Sequence, residues 1–227
     1  MMEADPPGND TDRQNDTTDW AALLAGGNDD GRPPWITLTP ERVSYLSLHD
    51  CLMQLELAVT EVDRLAFAAK SAHMALQAAL TAALAGTANV GAHDPKLRRA
   101  YLEHFEGRGA GPPRPSSVRV MSFPDLLAAA TTEPLPWVGK PLALTERQHE
   151  LLARLTEVRH AVEHPKQQQH SIGPRYVVEA LPVAAAMVRD LLATVFHHLE
   201  PGDMERVGRT TGRISELCRG AAAWCEG

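Results

Sequence analysis

The sequence predicts an all-α protein: an up-and-down helical bundle behind a disordered acidic tail. Three observations carry that expectation. Apolar residues recur at three- and four-residue spacing over long stretches, alanine and leucine dominate the composition, and no segment alternates in the manner of a strand. With 227 residues the chain is long enough for one well-cored domain with appendages.

Residues 1–34 are rich in Asp, Asn, Gly, Pro and Thr and have little apolar surface to bury, so the tail is taken to run to residue 38. Its one apolar interruption, Trp20 to Ala25, reads as a transient helix or a docking segment. Thr39 is a good N-cap and Pro40 suits the first helical position. From there a seam of Tyr45, Leu48, Leu52, Leu55, Val59, Val62, Ala66, Ala69, His73, Leu76 and Leu80 extends to about Gly86. A helix of that length invites a break, expected near Ala68–Ser71. A second helix is predicted over 94–106 and a short one over 123–130, with the proline-rich stretch 131–141 irregular. Thr145 with Gln148 forms a capping box that opens a helix ending at Glu163, before His164 and Pro165. Two further helices are predicted over 174–199 and 202–224. The domain thus spans 39–227, with the last helix an addition to a core at about 40–200.

The net charge of -7 is concentrated in the tail. Residues 1–39 carry eight acids against Arg13 and Arg32, which leaves 21 acids and 20 bases from residue 40 onward. A near-neutral body argues against broad nucleic-acid affinity and leaves room for a small focused site. Cys51, Cys218 and Cys225 lack metal-ligand spacing and read as reduced thiols, as in a cytoplasmic protein. No signal pattern opens the chain, and its longest apolar run, 180–188, is too short for a bilayer, so no membrane partner is expected. A glycine-rich phosphate loop, a nucleophile elbow and a CxxC pair are all missing, which gives kinase, hydrolase and redox readings no starting point.

The segment with the most chemistry is Arg159-His160-Ala161-Val162-Glu163-His164. Arginine is a permanent cation suited to phosphate, and histidine exchanges protons near neutrality. An arginine followed by a histidine after four to six residues occurs five times here, so spacing alone is weak evidence. Only this pair has a small or medium polar residue, His160, directly after the arginine, straddles a predicted helix end, and leads through a proline-bounded loop into another long helix. The bland alternative is an Arg159–Glu163 pair on an exposed face, with His164 as a helix-end residue. Glu146/His149 and Glu157/His160 match the spacing of di-iron bundles, but both lie on one helix and cannot close around one metal pair. Arg206, Arg209 and Arg213 form a basic stripe on the last helix that reads as a solvated face.

At this point the chain resembles the HEPN superfamily. Its motif is Arg, then Asn, Asp or His, then a short spacer and His, placed where one bundle helix gives way to the next. The likeness extends to uncharacterised bacterial HEPN-like proteins through the stretch His73–Thr87, His170-Ser171-Ile172 after the motif, and Leu181-Pro182 in the next helix. Pro165 and His170 depart from the group's usual aromatic and tryptophan. The resemblance implies a HEPN-like bundle acting as a homodimer, in which both motifs face one cleft and RNA is cut without a metal or other cofactor. Arg159 would clamp phosphate, His164 would serve as general base or acid, and His160 would orient its neighbours. A toxin or phage-defence setting, with an antitoxin partner, follows from the same likeness. The alternative it leaves open is a non-enzymatic helical interaction module, or an inactive relative binding a protein or nucleotide partner.

Overall fold

The computed structural model describes residues 37–87, 89–107, 119–164, 171–195, 199–200 and 202–224. Seven helices follow one another: α1 (Pro40–Leu57), α2 (Arg64–Ala85), α3 (Pro95–Glu106), α4 (Phe123–Thr132), α5 (Glu146–Glu163), α6 (Pro174–Thr194) and α7 (Asp203–Trp224). Among the described residues there is no strand, only an isolated antiparallel bridge between His93 and Val120. The predicted tail as far as residue 36, with Trp20, lies outside the described residues.

The helix starts obey local chemistry. Thr39 caps α1 by accepting from the Arg42 N–H, and Asp94 caps α3 by accepting from Lys96. Thr145 and Gln148 form the reciprocal capping box that starts α5. Gly86, at φ +64°, ends α2 in a conformation that a side chain disfavours.

The expected long first helix is two helices, and the break lies at 58–63 rather than near Ala68–Ser71. Val59, Thr60 and Val62 are β-branched, and the Thr60 hydroxyl donates to the Leu57 carbonyl, competing with the helical ladder. Ala68 and Ala69, by contrast, are fully buried in continuous helix. The turn sends α2 back antiparallel along α1. Ser44 Oγ donates to the Ala75 carbonyl at 2.8 Å, and Ser71 donates to Asp50, which fixes the register of the hairpin. Val59 and Val62, counted in the predicted seam, are 72% and 56% exposed because they sit in that turn.

The hairpin forms half of a four-helix ring in which α2 packs on α6, α6 on α7 and α7 back on α1. Seven buried alanines of α2, from Ala68 to Ala83, let its neighbours approach closely. Leu76, Leu80, Leu181, Val188, Leu191 and Ile214 fill the centre. The next helices matter most for the site: α5 packs against α2 and α6, and α4 lies against α2. Helix α6 ends at Thr194, short of the predicted 199.

Beyond α2 the chain turns tightly at Gly91, whose N–H donates to the Ala85 carbonyl at 3.2 Å. A Cβ at this position would stand 1.8 Å from the Leu84 carbonyl oxygen, so Gly91→Ala must displace the end of α2. The expected cost is about 3 kcal/mol, since backbone cannot yield as a flexible side chain does. Urea denaturation of the two proteins measures it, and a loss below about 0.5 kcal/mol would mean that the turn relaxes freely.

Candidate functional site

Residues 159–164 occupy the last turn of α5, next to α2. Arg159 and Glu163, one turn apart, form an ion pair at 2.6 Å, with side chains 31% and 27% exposed. This is the pairing that the bland sequence reading anticipated. At that exposure it contributes only a few tenths of a kcal/mol, about 0.2–0.5. His164 leaves the helix, with φ −128° and ψ 68°, while its backbone N–H still donates to the His160 carbonyl at 2.9 Å. The loop 165–170 that follows, including Pro165 and His170, lies outside the described residues.

The three singled-out residues separate into two groups. His160 and His164 are both exposed, and their rings lie 6.0 Å apart, tilted by 32°. Arg159 instead joins Glu163 in the wall of a cavity of about 470 Å³ between α1, α2 and α5. Successive residues on a helix differ by about 100° in direction, so Arg159 and His164 face directions roughly 140° apart along the ideal helix. Neither histidine ring is part of the cavity lining.

The cavity brings in residues that motif spacing alone did not select. Helix α2 contributes Lys70, His73, Met74 and Gln77, which recur at three- and four-residue intervals and so share one face. Lys70 and Gln77 were missed, although a polar interruption of an alanine-rich helix at that spacing was the available signal. His73, a member of the predicted apolar seam, is 2% exposed and packed at 4.3 Å against the Phe123 ring of α4. Its Nε2 is buried without a hydrogen-bond partner. Burial, reinforced by the Arg159 guanidinium and by His160, lowers its pKa to about 4, against an opposing pull from Glu163. At neutral pH His73 is thus an uncharged hydrogen-bonding group.

Competing constellations do not assemble. Among the described residues no group of three or more His, Cys, Asp or Glu side chains could hold a metal ion. Cys51 and Cys218 are free, buried thiols, and burial pushes Cys218 up to about 12, far from the reactive range. The three arginines of the α7 stripe are answered by acids: Arg206 by Asp203 at 3.2 Å, Arg209 by Glu205, and Arg213 by Glu216 at 2.9 Å. That stripe is a solvated ion-pair face. No described helix is long and apolar enough to cross a membrane. Comparison of the chain with protein-family models, curated proteins and solved structures finds no match.

Proposed function

We propose that this chain is a HEPN-like, metal-independent endoribonuclease, active as a homodimer in which two copies of Arg159, His160 and His164 line one cleft. The observation that supports this reading is the exposed histidine pair: two imidazoles 6.0 Å apart, at a helix end, directly after an arginine that faces an open cavity. RNA cleavage of this kind needs a proton acceptor, a proton donor and a cation. His164 takes the proton of a ribose 2'-hydroxyl, and that oxygen attacks the adjacent phosphorus. The bond to the 5'-oxygen breaks, and His160 returns a proton to that leaving group. The products are a 2',3'-cyclic phosphate and a free 5'-hydroxyl. Arg159 stabilises the charge that builds on the phosphoryl oxygens. One of its amino groups holds Glu163, and a guanidinium has five N–H donors, so others remain for phosphate. A toxin or phage-defence role, with an antitoxin that covers the cleft, suits such an activity.

A second reading has its own support. Arg159 is already held by a carboxylate in the free protein, which suits a non-enzymatic helical interaction module or an inactive relative that binds a protein or nucleotide partner.

Cleavage of total RNA in EDTA separates the two. The ribonuclease reading expects the wild-type chain to cut, to release cyclic-phosphate ends, and to lose activity by about two orders of magnitude on Arg159→Ala, the scale seen when a transition-state donor is removed. An inert wild-type protein, folded and dimeric, would leave the interaction module.

A further inference from the structure

We infer that a second cavity, where the 58–62 turn meets α6 and the C-terminal half of α7, binds an aliphatic chain that carries a cationic head, such as a long-chain alkylamine. This site shares no lining residue with the cavity at Arg159 and needs no RNA chemistry.

The walls select the chain. The cavity holds about 620 Å³, within the usual range for small-ligand sites, roughly 300–1,000 Å³. Its floor is Leu55, Leu65 and Val178, each 9% exposed or less and each part of the main core. Val59 and Val62, the two exposed valines of the turn, belong to its wall. No aromatic ring lies among its described lining residues. The Thr60 hydroxyl already donates to the Leu57 carbonyl. Neither of the buried polar atoms left without a partner among the described residues, on Gln54 and His73, lies in this lining. Such walls offer burial and dispersion but few directional bonds, which suits hydrocarbon better than a sugar, a base or a peptide backbone. Ala58, Gly220 and Ala221 leave the room. A glycine inside a helix is less favourable than alanine, and a Cβ at Gly220 would meet nothing within 4 Å, so packing within the chain does not require it.

The charges at the mouth select the head. The lining contains Arg213 and Glu216, paired at 2.9 Å, and Glu56 reaches the same guanidinium at 3.7 Å. Two carboxylates therefore share one cation. Glu61, beside Thr60, is matched by Arg64 at 2.9 Å and leaves that balance unchanged. The site is open to solvent, so the end of a bound chain stays in water, where an ammonium meets a net negative charge and a carboxylate meets its own sign. The three side chains are between 47% and 63% exposed, so water and salt screen this preference and keep it modest. Burial of the chain supplies most of the affinity, and the head sets the order among ligands.

The experiment titrates the full chain at low salt by calorimetry with alkylammonium ions from hexyl to decyl, and with decanol and decanoate, all below micelle-forming concentrations. Affinity should rise about two- to fourfold with each added methylene, the value of burying one. Decylammonium should bind tightest and decanoate weakest, about threefold or more apart, with the gap narrowing as salt is added. The double variant Glu56→Gln, Glu216→Gln should erase the order among heads and keep the dependence on chain length. Gly220→Leu, whose side chain has open space to enter, should weaken every ligand about tenfold while circular dichroism remains helical. Ala58→Leu should do the same from the other wall. Affinity indifferent to chain length, or undiminished by both Gly220→Leu and Ala58→Leu, overturns the site. Decanoate binding more tightly than decylammonium overturns the cationic head. Sedimentation of the ligand-free chain tests the remaining occupant: a dimer that Gly220→Leu dissociates would mean that a second copy covers this face, and would also overturn the proposal.

Discussion

Replacing His164 with alanine is expected to slow RNA cleavage by about 10²–10⁴-fold near neutral pH, the range contributed by a positioned acid–base group. The fold should hardly notice. His164 is exposed, and its one described backbone bond, from its N–H to the His160 carbonyl, needs no imidazole. Surface substitutions of this sort usually change stability by less than about 0.5 kcal/mol. The loss should therefore appear in kcat, with KM and Tm almost unchanged. His160→Ala should act differently: if His160 supplies the proton for the leaving group, its removal takes away one limb of the pH–rate profile. Single-turnover cleavage from pH 5 to 9 measures both. Undiminished cleavage by His164→Ala would show that this imidazole stands outside the chemistry, whatever Arg159 does.

Acid should expose His73 as a stability element of comparable size. In the folded chain its pKa lies near 4, against an ordinary value of 6.5, because burial disfavours the charged ring and Arg159 and His160 add to that. The unfolded chain therefore binds a proton between pH 6.5 and 4 that the folded chain refuses. Stability is fully present above pH 6.5, declines as pH falls through that window, and levels off below about 4. The gap corresponds to about 3 kcal/mol at most. Lys70, Arg159 and Glu163 line the same cavity as His73. The comparison that isolates His73 is wild type against His73→Gln, with unfolding free energies by urea at pH 7, 5.5 and 4. The difference between the two should shrink or reverse by about 3 kcal/mol on acidification. Parallel curves would mean that His73 titrates freely.

Most of the helical architecture was legible in the residues. Caps are short-range devices: Thr39, Asp94 and the Thr145–Gln148 box each need only three or four residues to act, and each starts a helix where expected. The reversal at 58–63 was hidden for a related reason. The apolar periodicity of α1 and α2 joins in phase across the turn, so the pattern reads as one seam. Only the competing bond from Thr60 and the antiparallel docking of Ser44 on Ala75 reveal two helices.

The site divides along the same line. That Arg159, His160 and His164 share the last turn of one helix, with His164 released before a proline, is written in the chain, because capping and proline sterics operate between neighbours. Which of them looks into a cavity is not. Arg159 shares the cavity with Lys70, His73 and Gln77 because α5 packs across α2, some 80 residues earlier in the chain. Packing of that kind depends on shape and burial across the whole bundle, which no local pattern encodes. Tertiary structure therefore put the guanidinium in the cavity wall and left the imidazoles out of it.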